Sequence, residues 1–261
     1  MMKELSPQAQ YWFDISMAWT DKLWDEAKGL TLEPANRQHH SIRNSVWYAL
    51  GLLYQGRDER AFKVIREVLR HQWDDVEKVY HGTFRRVVLE PDPPPNPTIW
   101  KDYDPNWREF ICTVFLVMLK DFNLPEDLTA DLWTAIYKAS EGSFARKVEP
   151  AYTNIALMSA FLLDHAGKHF ARQDWRKAAE ALAQAVYALF REHNTFWEYN
   201  SPTYYGTDLY ALSLWRAYGL TATFQDLGRE MEEGLWQDIA IFYHAEMQNL
   251  CAPMIAVMVW T

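Results

Sequence analysis

The chain has 261 residues, of which 49% are hydrophobic, and carries a formal net charge of −9 at pH 7. This length allows one large core or two small ones, and because no linker-like stretch divides the sequence we expect a single domain over 1–261. The acidic balance leaves no basic face for a phosphate backbone, which argues against nucleic acid as a partner.

The sequence also argues against a membrane location. No apolar run reaches the ~18 residues needed to span a bilayer. The N-terminus, from Met1 to Pro7, has no apolar stretch before a cleavage site. The two cysteines, Cys112 and Cys251, lie in apolar helical surroundings, which suits buried thiols in a reducing compartment. We therefore predict a cytoplasmic protein.

Three helices are predicted in the first part of the chain. The first begins at Ser6 and Pro7, an N-cap followed by a proline at the first helical position, and runs to Gly29. Its apolar residues at helical spacing are Trp12, Ile15, Trp19 and Leu23. The second covers about 41–53 and the third about 58–72.

Residues 73–106 interrupt the helical pattern. The prolines that forbid a helix there are Pro91, Pro93, Pro94, Pro95 and Pro97. For the stretch 79–89 the pattern allows a short β-hairpin or an extended arm. Because long loops in compact domains are usually lids or binding loops, we interpret this segment as a lid.

Helices then resume in pairs that recur about every fifty residues, the mark of a repeated helical hairpin. The predicted pairs are 106–120 with 125–139, 152–165 with 174–192, and 206–218 with 224–242, and an apolar piece at 252–260 follows them. The first helix of a pair is rich in small and apolar residues, whereas the second is charged on one side. This contrast predicts inner helices surrounded by outer ones, with the polar loops converging on one funnel.

The alternation and four sequence stretches resemble the α/α-toroid superfamily. The stretches are 24–30, 103–109, 198–206 and 250–253. That superfamily includes heparinase-like and alginate-lyase-like polysaccharide lyases, some glycoside hydrolases and linalool-dehydratase-like enzymes. The resemblance implies an all-α fold, an α/α toroid made of five helical hairpins or an incomplete ring of six, with a Pro-rich lid loop.

The stretch 197–206 is the first candidate for a functional site. It concentrates a carboxylate, an amide, hydroxyls and phenols directly before an apolar helical run, which indicates the wall of a pocket. In the alternative reading its tyrosines only pack between helices with their hydroxyls satisfied. The catalytic candidates are Glu198 and Tyr204, and the substrate-binding candidates are Trp197, Tyr199, Asn200 and Tyr205.

The second candidate is the stretch 103–109, where the long loop enters a helix. Asp104 could act as a general acid or base among aromatic neighbours, or Asp104 or Asn106 could cap the helix, with Glu109 completing a capping box. Tyr103, Asn106 and Trp107 are expected to bind substrate beside it.

The remaining candidates are two histidines and two residues at the start of a predicted helix. His81, at the start of the lid, could shuttle protons near neutral pH, or it could be a surface residue or a hydrogen-bonded packing residue. His244, in the last polar loop, and Tyr152 and Asn154, at the start of an inner helix, are expected to contact substrate.

Metal ions and cofactors are not expected. The sequence has no His-Glu-x-x-His, no paired cysteine spacing and no Asp-rich calcium loop. It also lacks a Gly-rich phosphate loop, a dinucleotide fingerprint and a Gly-x-Ser-x-Gly elbow. Any chemistry would therefore depend on side-chain acids and bases.

The resemblance to heparinase-like lyases implies a Tyr and a His for proton transfer and an Asn that stabilises a carboxylate. The residues of those types here are Asn200, Tyr204 or Tyr205, and His81 or His244. Those lyases usually carry a further β-sandwich domain and are exported, and this sequence shows neither feature.

The favoured hypothesis is a cofactor-free lyase or cyclase acting on a small, largely apolar molecule. It would perform an elimination, a dehydration or a cyclisation, possible steps of natural-product biosynthesis, with Asp104 and Tyr204 transferring protons. One alternative is a saccharide lyase or an inverting glycoside hydrolase that uses Asp104 and Glu198. The other is a non-catalytic binding protein. The sequence leaves the oligomeric state open.

Overall fold

The structure of the chain, a computed structural model, describes residues 5–199, 201 and 203–250. Within these residues the chain is mostly helical, which confirms the all-α prediction at that level. Two compact units are present, which we call the first unit, Met1–Gly142, and the second unit, Ser143–Thr261. The prediction of a single domain stays a prediction.

Helices carry most of the secondary structure of the described residues. They are α1 Pro7–Asp21, α2 Ile42–Tyr54, α3 Asp58–Leu69, α4 Trp107–Asp121, α5 Glu126–Arg146, α6 Thr153–His169, α7 Gln173–His193, α8 Tyr205–Tyr218 and α9 Ala222–Phe242. The short strands are β1 Trp24–Asp25, β2 Leu30–Leu32, β3 His40–Ser41, β4 Tyr243–His244 and β5 Asn249–Leu250. Strands β1, β2 and β3 form one antiparallel sheet, and β4 pairs with β5.

Helix α1 is shorter than predicted, because it ends at Asp21 and a β-hairpin follows it. The Asp25 side chain accepts hydrogen bonds from the backbone N–H groups of Ala27 and Lys28, which favours a turn over another helical turn. Gly29 then adopts a left-handed φ of +68° and leads the chain into β2. The glycine therefore turns a hairpin instead of ending a helix.

The segment between α3 and α4 belongs to the first unit and forms no named strand, but isolated antiparallel bridges join Gln72 to Phe84 and Ser41 to Val87. The choice between a β-hairpin and an extended arm at 79–89 stays a prediction. The Trp73 backbone N–H donates to the Thr83 carbonyl, and the Gly82 N–H donates to the Trp73 carbonyl, both at 2.9 Å. Gly82 has a φ of +75°, and a Cβ there would lie 2.1 Å from the backbone oxygen of Lys138 on α5. The turn that carries His81 is thus fixed directly against α5.

The predicted contrast between paired helices is present in both units. In the first unit, α2 packs on α3 and α4, and much of α2 is buried while its partner α3 buries one face. In the second unit, α6 is buried along nearly its whole length and packs on α7 and α8, whereas α7 buries one face and packs on α9. Within each unit, buried helices are therefore paired with amphipathic ones.

The C-terminal ends of α3, α5 and α6 also differ from the prediction, and the largest of these differences is at α5. Helix α5 continues to Arg146, although the sequence predicted its end at 139. Small and hydroxyl residues there resemble a loop, yet Ser140 donates to the carbonyl of Ile136 and Ser143 hydrogen-bonds Ser159 at 2.7 Å. The hydroxyls are satisfied without leaving the helix. The predicted apolar piece at 252–260 lies outside the described residues.

Candidate functional site

Three elements of the second unit bring two carboxyl groups together at the start of α8. Glu198 lies in the connection between α7 and α8, Asp208 in the first turn of α8, and Asn154 in the first turn of α6. Glu198 accepts a hydrogen bond of 2.8 Å from Asn154 Nδ2 and one of 3.3 Å from the Asn154 backbone N–H. A side-chain hydrogen bond joins Glu198 to Asp208. We call Glu198 and Asp208 the carboxyl pair.

The surroundings of the carboxyl pair favour a proton between its two groups. Asp208 is fully buried, and among the described residues no N–H or O–H group donates to either of its oxygens. Two carboxylates cannot hydrogen-bond each other unless one of them is protonated. The bond between Asp208 and Glu198 therefore depends on a proton that the two carboxyl groups share.

The position of Glu198 follows from an uncapped helix start. The first N–H groups of a helix have no partner inside the helix, and Tyr152, the residue before α6, makes no side-chain capping bond. Glu198 supplies an acceptor from a distant part of the chain. Ser201 then accepts backbone hydrogen bonds from Tyr204 and Tyr205 in the turn that begins α8, only a few residues before Asp208.

Burial sets the protonation of the pair. It raises the pKa of Glu198 from 4.5 to about 7, against the lowering effect of the two Asn154 hydrogen bonds. Burial, the charge of Glu198 and the hydrogen bond between them raise the pKa of Asp208 well above its usual value. At neutral pH Asp208 is therefore the protonated partner and donates to Glu198, which is available in its ionised form.

Tyr204 adds a phenol to the same cluster. It is half-buried, and burial together with the charges of Glu198 and Asp208 raises its phenol pKa above the usual value of 10. The hydroxyl stays protonated at neutral pH. The cluster thus combines ionised Glu198, which can accept a proton, with Asp208 and Tyr204, which are protonated.

We expect Asn154→Leu to lower the free energy of unfolding by about 2 kcal/mol near pH 8, where Glu198 is ionised, and by less near pH 5. Leucine keeps the backbone donor but removes the amide that binds the charged form of Glu198. Urea unfolding at both pH values measures the difference. Asn123→Leu, at an exposed residue of the first unit, is the control. Equal losses at the two pH values would contradict the assignment.

The other predicted residues of the second unit lie in varied surroundings. Tyr205 is buried on α8, Trp197 is exposed, and Tyr199 packs edge-on against Phe242 with ring centroids 5.4 Å apart. Asn200 lies outside the described residues.

Tyr152 and His244 have local contacts of their own. The Arg146 guanidinium lies over the ring of Tyr152, 5.9 Å from its centroid. His244 is exposed on β4, and its Nδ1 accepts the Met247 N–H at 3.3 Å. Their predicted contact with substrate stays a prediction.

In the first unit, Asp104 organises the start of α4. Its two carboxylate oxygens accept hydrogen bonds from the Asn106 backbone N–H at 2.9 Å and from Trp107 Nε1 at 3.1 Å. This geometry agrees with the reading of Asp104 as a residue that supports the helix start. Asn106 is buried, and Arg43 lies over the Trp107 ring at 5.2 Å.

Tyr103 is a core residue of the first unit. It forms a buried aromatic cluster with Trp73 and Tyr80, in which the Tyr80 and Tyr103 ring centroids are 5.9 Å apart.

His81 is held between two acidic residues of the first unit. Its Nε2 lies 3.3 Å from a Glu141 carboxylate oxygen, and its Nδ1 lies 3.9 Å from an oxygen of Asp74. The side chain is buried, and the Arg108 guanidinium binds the His81 carbonyl at 2.8 Å. These contacts agree with the reading of His81 as a packing residue, and its proton-shuttle role stays a prediction.

The sequence analysis missed Asp208. An acidic residue in the first turn of a helix is common, because it interacts favourably with the helix dipole. The usable signal was its spacing from Tyr204, since residues four apart share a helix face. Asn154 was predicted to bind substrate, and in the structure it binds Glu198.

Two features are absent from the described residues. No group of three or more His, Cys, Asp or Glu side chains there is placed to hold a metal ion. No helix among residues 5–199 and 203–250 has both the length and the apolar character to cross a bilayer. The expectation that the site works without a cofactor stays a prediction.

Comparison with known proteins identifies a family but no activity. The chain belongs to the family described as Domain of unknown function (DUF8769), whose model matches residues 10–254. None of the curated proteins compared with the chain matches it. The family match includes all the described residues of the carboxyl pair and its neighbours, and the function has to be argued from their geometry.

Proposed function

We propose that the second unit carries an acid–base site for a lyase or cyclase reaction on a small, largely apolar molecule. The observation that supports this most strongly is the buried carboxyl pair, in which burial raises the pKa of both groups. Two carboxyl groups with different pKa values offer an acid and a base at the same pH. The pKa of about 7 for Glu198 suits proton transfer near neutral pH.

Each group has a distinct part in the proposed reaction. In a dehydration, ionised Glu198 removes a proton from carbon while the Tyr204 phenol protonates the departing hydroxyl group, so that a double bond forms and water leaves. A proton then passes from Glu198 to the Tyr204 phenolate, which restores both groups. Asp208 is a positioning residue, because its proton fixes the orientation of the Glu198 carboxylate.

We also propose the α/α toroid, with five hairpins or an incomplete ring of six, as the architecture. The pairing of buried helices with amphipathic ones inside each unit supports this proposal. Such a ring would present the polar connections on one rim, including the connection that carries Glu198.

The geometry of the carboxyl pair favours this chemistry over glycoside hydrolysis. Glycosidases hold their two carboxyl groups roughly 5 to 9.5 Å apart so that a sugar atom or a water molecule fits between them. Glu198 and Asp208 are hydrogen-bonded to each other and leave no such space. The pair predicted for an inverting enzyme, Asp104 with Glu198, has one member in each unit and stays a prediction.

Turnover assays test the proposal. The purified protein is incubated with apolar alcohols, epoxides and polyenes and, in parallel, with oligosaccharides, and mass spectrometry detects loss of water, isomerisation or sugar products. We expect turnover in the apolar set, with kcat/KM rising with pH through a pKa of about 7. Glu198→Gln should lower kcat at least ~100-fold, because the base is lost.

The matched control is Glu192→Gln, at an exposed residue on α7, which should leave kcat unchanged. Turnover confined to the oligosaccharides, or turnover that Glu198→Gln does not reduce, would overturn the assignment. Binding of an apolar compound without conversion would instead support the non-catalytic alternative.

A further inference from the structure

The first unit contains a groove, whereas the carboxyl pair belongs to the second unit. The groove encloses about 610 Å³ and is bounded by α1, by α2 and by the chain that follows β2. We call it the α1–α2 groove. Its lining residues include Ser16, Trp19, Thr20, Asn44 and Trp47. This volume is in the range of pockets that hold drug-sized ligands.

Aromatic side chains are exposed on the groove walls. Trp19 on α1 is 49% exposed and Trp47 on α2 is 37% exposed, and both line the groove. Phe13 and Tyr54 line it as well. Large exposed aromatics that border a concave surface indicate a binding site more often than scattered surface residues do.

The floor of the groove is built by close helix packing. Met17 of α1 lies against Gly51 of α2, where a Cβ would come within 2.3 Å of the Met17 sulfur. A side chain at 51 would displace the Met17 side chain from this contact. The groove is therefore a pre-formed feature of the α1 and α2 contact, as ligand pockets usually are.

The lining residues include no Asp, Glu, Lys, Arg or His, although 23% of the chain is charged. Its polar groups are few and partly occupied, since Thr20 donates to the Ser16 carbonyl at 2.8 Å. The carboxylate of Asp21, at the end of α1, is held by the Arg57 guanidinium at 2.9 Å and does not line the groove. A ligand that carries a charge would lose its hydration there without a counter-charge.

From these observations we propose that the α1–α2 groove binds an uncharged small molecule with ring systems that stack on Trp19 and Trp47. The size of the groove, the exposed indoles and the uncharged lining specify this class of ligand. The proposal is independent of the chemistry assigned to the carboxyl pair.

Two related dyes test the proposal. N-phenyl-1-naphthylamine is uncharged, whereas 1-anilinonaphthalene-8-sulfonate has the same ring systems and an added sulfonate. We expect the uncharged dye to bind at least ~10-fold more tightly in a fluorescence titration, and to quench tryptophan emission. Equal affinity for the two dyes, or no binding of the uncharged dye, would overturn the proposal.

Matched variants locate the dye. Trp47→Ala removes one stacking surface, and Ser16→Glu places a charge in the groove. Each substitution should weaken the affinity for the uncharged dye at least ~5-fold. The controls are Trp236→Ala, at an exposed tryptophan of α9, and Gln10→Glu, at an exposed residue of α1 outside the groove, and both should leave affinity within ~2-fold. Circular dichroism verifies that each variant is folded.

The same variants test whether a second copy of the chain covers the groove instead. Sedimentation should give the same mass for the wild type and Trp47→Ala. A wild-type dimer that Trp47→Ala converts to a monomer would assign the groove to a protein interface and overturn the small-molecule proposal. Loss of dye binding in Trp236→Ala as well as in Trp47→Ala would also overturn it.

Discussion

The free energy of unfolding is expected to fall by about 3 kcal/mol between about pH 5 and pH 8 because of Glu198, with a further contribution of the same sign from Asp208. The folded state raises the pKa of Glu198 from 4.5 to about 7. Each unit of pKa shift corresponds to about 1.36 kcal/mol, which gives the stated loss.

The sign follows from proton binding. Between the unfolded pKa of about 4.5 and the folded pKa of about 7, the folded chain holds more protons at Glu198 than the unfolded chain does. Stability is therefore fully present below the unfolded pKa and is lost as pH rises through the folded pKa. Asp208 acts in the same direction, because its pKa is raised too.

The double variant Glu198→Gln with Asp208→Asn separates this contribution from others. Its amides can keep the hydrogen bonds to each other and to Asn154, so we expect it to fold and to be more stable than the wild type near pH 8. His71 and His169, whose pKa values burial lowers, contribute with the opposite sign in wild type and variant alike. Urea unfolding across this pH range gives the difference.

Glu192→Gln with Asp226→Asn, at exposed residues of the same unit, is the matched control and should keep the wild-type pH dependence. If the double variant at the carboxyl pair loses as much stability as the wild type between the two pH values, the shared proton is not present. That result would also remove the basis for assigning Glu198 as a base.

Helix positions could be predicted from the sequence because apolar spacing depends on local geometry. Helices α7 and α9 match their predicted ranges to within two residues at each end. The error at α1 arose because a hairpin was hidden inside an apolar helical pattern, and only pairing of Trp24–Asp25 with β2 shows it. Strand pairing is a tertiary contact and leaves little local trace in so short a segment.

The candidate site was predictable in part. The stretch 197–206 stood out because a turn does not need so many large polar and aromatic residues, and two of its members, Glu198 and Tyr204, belong to the cluster. The partnership of Glu198 with Asn154 joins residues far apart in the chain, so spacing could not reveal it. Tertiary packing decides which acidic side chains are buried, and the sequence alone does not reveal that packing.

Packing also fixes the helix that carries Asp208 and begins beside Tyr204. Trp215 of α8 is fully buried, its Nε1 donates to the Leu157 carbonyl of α6 at 2.9 Å, and its ring contacts Phe224 of α9 with centroids 4.8 Å apart. A Cβ at Gly228 would lie 2.7 Å from the Trp215 Cβ, so α8 and α9 are in close contact there. Trp215 therefore joins three helices of the second unit.

Trp215→Ala should lower the free energy of unfolding by about 3 to 5 kcal/mol, because it leaves a large cavity and removes the donor to Leu157. Trp215→Phe should cost less, since it fills most of the cavity and loses mainly the hydrogen bond. Trp236→Ala, at an exposed tryptophan of α9, should cost under about 1 kcal/mol. Urea unfolding of the three variants gives the order, and a loss for Trp215→Ala no greater than that for Trp236→Ala would show that α8 is not held on α6 and α9 by this side chain. Since α8 carries one half of the carboxyl pair, Trp215→Ala should also weaken the pH dependence of stability, whereas Trp236→Ala should leave it intact.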